Sequence, residues 1–304
     1  MLAHCLLVVS STTPIGLAAW IEGARPRTLP AAVAPVLAGS GAAAFADAFV
    51  WWKALLCLGL SLALQIGVNY ANDYSDGIKG TDDDRVGPLR LVGSGIASAN
   101  AVRIVAFSWF GVSAALGLAL AATSGWWLIF VGIAAIAAAW TYTGGSNPYG
   151  YRALGEISVF VFFGLVAVLG TTFVQAGEFT WPALATAIGV GALACAILVA
   201  NNLRDIPTDI KAGKRTLAVL LGDHRSRLFY AALIVIAVGC LVWTAVLATP
   251  WALLGLIASP VAGKAVRTVL SGAAGMVLIP VLRDTGIAQL LYAVGLTAGF
   301  WIGR

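Results

Sequence analysis

The chain has 304 residues, 60% of them hydrophobic and only 10% charged, where a soluble domain carries about 25% charged residues. That balance excludes a soluble globular protein and indicates an integral membrane protein of all-α class. The net charge of +5 does not mark a nucleic-acid binder, because the basic residues lie in short loops between apolar runs, the pattern of membrane topology.

Residues 1–20 read as an N-terminal extension or interfacial segment, and residues 21–304 as a single transmembrane domain. The opening MLAHCLLVVSSTTP lacks a basic n-region, which argues against a cleaved signal peptide. IGLAAWIEGARPR carries a short apolar face with Trp20 and then charge, which suits a helix lying along the interface.

Charges punctuate the rest, and a span needs about 20 apolar residues. Arg27 to Asp47 encloses span one, which contains Pro30 and Pro35, and Lys53 to Asp73 encloses span two. Residues 104–151 are uncharged and too long for one span; TSG at 123–125 divides them into spans three and four. Glu156 to Glu178 encloses span five, and Glu178 to Arg204 encloses span six. Residues 228–263 divide at ATPW into spans seven and eight, and 285–303 form span nine. The segment 268–282 is short for a span and reads as an interfacial or re-entrant connection. With nine spans and a cytoplasmic N-terminus, 16 of the 18 basic residues fall on the cytoplasmic side, all but Lys53 and Arg304. That bias follows the positive-inside rule and predicts a multi-pass protein of the cytoplasmic (inner) membrane.

Two acidic stretches stand out in this oily chain. NYANDYSDGIKGTDDDR (69–85) ends span two and holds five of the 13 acidic residues: Asp73, Asp76, Asp82, Asp83 and Asp84. NNLRDIPTDIKAGKRT (201–216) ends span six with Asp205 and Asp209. Both open to the cytoplasm, and their separation by four spans suggests two similar halves. Asn69, Asp73 and Asp76 share one helical face, as do Asn72 and Asp76; Asn201, Asp205 and Asp209 repeat the pattern, with Asn202 one turn before Asp205. Carboxylates at membrane depth are costly unless paired or hydrated, and several together need a cation. Mg²⁺ suits such oxygen ladders, keeping waters and bridging to substrate phosphates. The expected metal ligands are Asp73, Asp76, Asp205 and Asp209, with Asp82 as a further candidate. Lys79, Arg85, Arg90, Arg204, Lys211, Lys214 and Arg215 follow or flank the ladders. With Asn72 and Asn202 they supply groups to hold a diphosphate, and the combination of carboxylates, metal and cationic clamps suits its departure.

Other residues divide between two readings. Tyr142, Tyr149, Tyr151 and Phe160 lie at the ends of spans four and five. They read as an interfacial aromatic belt, or, in the chemistry that the resemblance described next implies, as rings that steady a carbocation. Glu156 is either a site residue or an interfacial cap. Cys5, Cys57, Cys195 and Cys240 sit in apolar stretches without metal or redox spacing and read as packing residues. Asp223 and Asp284 lack the ladder context and read as structural.

NDYSDGIKGTD together with NNLRDIPTDIKAGKRTLAV resembles the two aspartate-rich motifs of the UbiA superfamily of intramembrane prenyltransferases. Within it, ARPRTLPAAVAPVLAGS, GPLRLVGSG, YGYRALGEISVFVFFGLVAVLGT and LIPVLRDTG are similar to the branch acting on 1,4-dihydroxy-2-naphthoate in menaquinone synthesis. The resemblance covers the chain from about residue 20. It departs at the third aspartate of the first motif, where the superfamily's position is Gly80 and Asp82 follows two residues later. The resemblance implies a nine-span bundle around a cavity, with the Asp clusters binding Mg²⁺ and a polyprenyl diphosphate. The prenyl tail would lie in an apolar groove, and the acceptor ring would attack the allylic carbon and lose its carboxylate. The acid acceptor needs a cationic partner, for which Arg25, Arg27 and Arg152 are candidates. The alternatives are another acceptor, such as 4-hydroxybenzoate, homogentisate or a tetrapyrrole, and a cation-coupled transporter. Transporter sites usually lie at interrupted helices near the midplane, whereas these carboxylates lie at span ends.

Overall fold

The computed structural model describes residues 16–80 and 89–304, and among them every regular element is helical. Asp82, Asp83, Asp84 and Arg85, like Cys5 and the rest of residues 1–15 of the opening extension, lie outside the described residues. The elements are α1 (Leu17–Gly23), α2 (Pro30–Phe45), α3 (Trp51–Ile78), α4 (Ala99–Ser124), α5 (Leu128–Thr141), α6 (Gly155–Val159), α7 (Ala167–Ala176), α8 (Trp181–Lys211), α9 (Leu217–Leu247), α10 (Ser259–Leu270) and α11 (Ile279–Ile302). A π-helical turn, Phe160–Val166, joins α6 to α7, and a 3₁₀ stretch, Pro250–Ala258, leads into α10.

Each expected span has a helical counterpart, but the count of nine crossing helices is not reproduced. Among the described residues seven helices are long and apolar enough to cross a membrane, or eight if the bent pair Leu17–Thr28 and Pro30–Phe45 is one span. The fourth expected span is α5, with only 14 residues. The connection expected at 268–282 is present as a turn around Ser271–Ala274, with its ends absorbed into α10 and α11.

Local chemistry sets the helix ends. Ser98, Thr180 and Thr216 cap α4, α8 and α9, each side chain accepting the backbone N–H three residues on. Gly177 closes α7 at a positive φ of 77°. Before α2, Arg25 takes a left-handed φ of 53° and Pro26 starts a 3₁₀ turn, which produces the 49° bend.

α8 is the hub. Its most apolar window is 78% buried within the protein, against 28–50% for the other membrane-length helices. Membrane helices gain little from apolar burial against one another, so close packing rests on small residues. Gly164 of the π turn lies against Gly191 of α8, where an added Cβ would come within 2.7 Å of the Gly191 Cα. The buried cysteines Cys57, Cys195 and Cys240 are free thiols, as packing residues should be.

Candidate active site

The C-terminal ends of α3 and α8 both open on one cavity of about 670 Å³. Its wall carries Asn72 and Asp76 from α3 and Asn201, Asn202, Arg204, Asp205 and Asp209 from α8. The two acidic stretches, more than 110 residues apart in sequence, therefore meet.

Asp76 is the focus of the first stretch. It is 3% exposed and accepts a hydrogen bond from the Tyr151 hydroxyl. Lys214 Nζ lies 3.5 Å from its Oδ1, and Arg90 Nη2 lies 3.6 Å from its Oδ2. Two ammonium groups lie over the Tyr151 ring, Lys214 at 4.5 Å and Lys79 at 5.1 Å from its centroid. Lys79 also donates to the Thr143 carbonyl at 2.6 Å, and partial desolvation pulls its ammonium below the usual lysine range, against the opposing pull of Asp76. Asn72 accepts from the Thr143 hydroxyl at 2.7 Å.

In the second stretch, Arg204 grips its neighbour Asp205 with two bonds of 2.6 and 2.7 Å and Asn201 with a third of 2.9 Å. Thr216 donates to Asp209 at 3.4 Å. The Asp209 carbonyl receives the Lys214 N–H, and the Tyr151 carbonyl receives that of Arg215. These backbone bonds fold the 211–216 loop over the cavity and aim Lys214 inward.

Several expected site residues take other positions. Asp73 is 1% exposed and is not on the cavity wall. Its two oxygens accept the backbone N–H groups of Leu91 at 2.8 Å and Val92 at 3.1 Å. Asn69 donates to the Ala24 carbonyl and the Thr28 hydroxyl, tying α3 to the bend before α2. Lys79, Lys211, Arg152 and Arg215 are exposed and off the wall. Glu156 lies behind the wall, where its Oε1 accepts from Asn202 at 2.9 Å. Arg25 and Arg27 line the cavity. Tyr149 bonds the Ala138 carbonyl and Ser158, and burial raises its hydroxyl above the usual range. Sequence reasoning missed Thr143, Thr216, Phe163 and Arg283, which carry no repeat or charge spacing to signal them.

A second, apolar cavity of about 340 Å³ runs along α3, α5 and the π turn. It shares Gln65, Asn72, Tyr142, Val159, Phe163 and Leu198 with the polar cavity, and extends to Cys57, Leu120 and Val174 toward the opposite helix ends. π turns inside helices are frequent at functional sites, and this one supplies Phe163 to the junction and Phe162 to the apolar cavity.

A membrane helical bundle with facing Asn–Asp ladders, cationic clamps and an adjoining apolar groove has the make-up of an intramembrane enzyme for amphipathic diphosphates. The chain belongs to the UbiA prenyltransferase family, whose model matches residues 32–276. It is 58% identical to the 1,4-dihydroxy-2-naphthoate octaprenyltransferase of Mycobacterium tuberculosis over 94% of this chain and 98% of that one. It is 36% identical to the Escherichia coli protein of the same name over 93% and 96% of the two chains. Among solved structures, a UbiA homologue from Archaeoglobus fulgidus bound to GPP and Mg²⁺ superposes with a TM-score of 0.68 at 16% identity, over 93% of this chain and 99% of that one. The apo UbiA homologue from Aeropyrum pernix gives 0.70 at 15% identity, over 88% and 97%. Those two likenesses establish the fold.

Proposed function

We propose that the protein transfers a polyprenyl group from polyprenyl diphosphate to 1,4-dihydroxy-2-naphthoate, releasing diphosphate and CO₂ and giving demethylmenaquinol. The observation that carries this reading is the shared wall between a charged cavity and an apolar groove, which fits a donor with a diphosphate head and a long hydrocarbon tail. The names of the relatives support the same donor class and acceptor.

In this reading the tail lies in the groove, and Arg90, Lys214 and Arg204, with Asn72 and Asn202, hold the diphosphate. The allylic carbon then sits at the shared wall beside Tyr142 and Phe163, whose rings suit developing positive charge. The apolar lining keeps out water that would trap that charge. The acceptor carbon bearing the carboxylate forms the new C–C bond as the allylic C–O bond breaks toward diphosphate. CO₂ then leaves, and its bonding electrons restore the aromatic ring.

The donor set Asp76, Asp205 and Asp209 consists of hard oxygens suited to Mg²⁺. Among the described residues no three acidic, histidine or cysteine side chains group tightly enough to hold a metal alone. That is compatible with an ion that completes its shell with water and substrate phosphate. When bound, Mg²⁺ would neutralise charge on the departing diphosphate. Asp73 we place outside this set, as the anchor of the 89–95 loop. Residues 21–304 act as one domain in the cytoplasmic membrane, with the site facing the cytoplasm.

Incubating the purified protein with polyprenyl diphosphate, Mg²⁺ and each acceptor tests the function. Product is expected with 1,4-dihydroxy-2-naphthoate; activity confined to 4-hydroxybenzoate, homogentisate or a tetrapyrrole would overturn the reading. The groove gives a second prediction. Gly132 lines it, and a Cβ there would meet nothing within 4 Å. Gly132→Phe should therefore plug it, lowering kcat/KM for long donors about tenfold or more while sparing GPP. Equal losses for long and short donors would show that the tail lies elsewhere.

A further inference from the structure

The polar cavity has a third wall, used neither by the acidic ladders nor by the groove. It is the first turns of α11, where Ile279, Leu282, Arg283 and Gly286 face the cavity. Opposite Gly286 the space is open: an added Cβ would meet only Ile197 Cδ1, at 4.0 Å. This wall is therefore apolar and roomy, with one cation at its edge.

That cation is held in place. Arg283 donates to Asp284 Oδ1 from Nε at 3.0 Å and from Nη2 at 2.7 Å. Lys264 Nζ, from α10, lies 3.1 Å from the other oxygen, Oδ2. The Asp284 side chain is 8% exposed and that of Arg283 is 60% exposed. Two cations on one buried carboxylate leave a net charge of +1. The pairing occupies Nε and Nη2 and leaves Nη1 available for a second anion.

We propose that Arg283 is the residue that recognises the acceptor's carboxylate, with Asp284 and Lys264 fixing its guanidinium; this rests on the function proposed above. An aromatic acid needs a flat apolar surface and a cation at its rim, and the α11 wall offers both. Arg25, in the bend before α2, also lines the cavity, and most of the remaining cations are placed for the diphosphate. Lys214, Arg90 and Arg204 stand at the acidic ladders, beside Asp76 and Asp205, where the proposed function puts the diphosphate. Arg27 lines the cavity, but among the described residues no hydrogen bond or ion pair fixes its side chain. A guanidinium pre-set by a buried carboxylate loses less freedom on binding than one that must be ordered.

The test compares 1-hydroxy-2-naphthoate with 1-naphthol as competitive inhibitors, alongside the KM for 1,4-dihydroxy-2-naphthoate. Wild-type protein should prefer the carboxylated inhibitor. Arg283→Gln should lose that preference and raise the acceptor KM about tenfold to a hundredfold, with the donor KM unchanged. Arg283→Lys should recover part of both, and Arg27→Gln should retain the preference. A preference that survives in Arg283→Gln, or disappears in Arg27→Gln, or is missing in the wild type, would overturn the proposal. Failure of wild-type protein to prenylate the naphthoate at all would instead refute the underlying function.

Discussion

Replacing Asp76 by alanine is expected to lower prenyl transfer by about 10²–10³-fold while leaving the protein folded in the membrane. Asp76 is the carboxylate on which Tyr151, Lys214 and Arg90 converge, and it stands on the wall facing Asp205 and Asp209. Its removal takes away an oxygen donor for Mg²⁺ and releases two cations from their set positions. Both effects weaken the stabilisation of charge on a leaving diphosphate, which is where metal and cationic groups act most strongly. Asp205→Ala should behave alike, because Arg204 is then left buried without its bidentate partner. Glu178→Ala, an exposed carboxylate away from the cavity, serves as control. Transfer rates normalised to monodisperse protein check the prediction. Unimpaired transfer by both Asp variants would end the assignment of these carboxylates to the reaction.

The bundle was legible because isolated charges mark helix ends in an apolar chain, and that rule placed both acidic stretches at span ends. It fails where charge is not what ends a helix. α5 is bounded by TSGWW and by the TGGSN turn, so nothing in the charge pattern shows that it has only 14 residues. It also fails where charges pair. α11 begins at Ile279 and carries Arg283 and Asp284 inside it, where the buried carboxylate is paired with Arg283 and with Lys264. The same limit hid Arg283 as a site residue. The Asn–Asp spacing was legible as a face but not as a direction. Successive helical residues are turned by about 100°, so the i, i+4 pair Asn72 and Asp76 points into the cavity. The pair Asn69 and Asp73, three residues earlier, points toward neighbouring backbone. Only the neighbours' positions distinguish these two faces, and they come from distant parts of the chain.

That distinction leads to a second large effect, at Asp73. Both its oxygens accept backbone N–H groups, from Leu91 and Val92, and Arg90, adjacent to that pair, reaches Asp76. Asp73→Ala would leave two N–H groups without their acceptor in a buried place, and each such loss costs about 1–3 kcal/mol. The loop should detach, carrying Arg90 from the cavity. We expect a marked fall in thermal stability, together with a higher KM for the prenyl diphosphate. Asp73→Asn keeps one acceptor oxygen and should fall between the two. The informative measurement is the melting temperature in excess EDTA. A residue whose task is to hold Mg²⁺ contributes repulsion rather than stability when the metal is removed, so its alanine variant should melt no lower than wild type under chelation. An anchor of the 89–95 loop should melt lower with or without metal, in the order Asp, Asn, Ala. Unchanged melting in EDTA, combined with a weakened Mg²⁺ requirement for activity, would return Asp73 to the metal ligands.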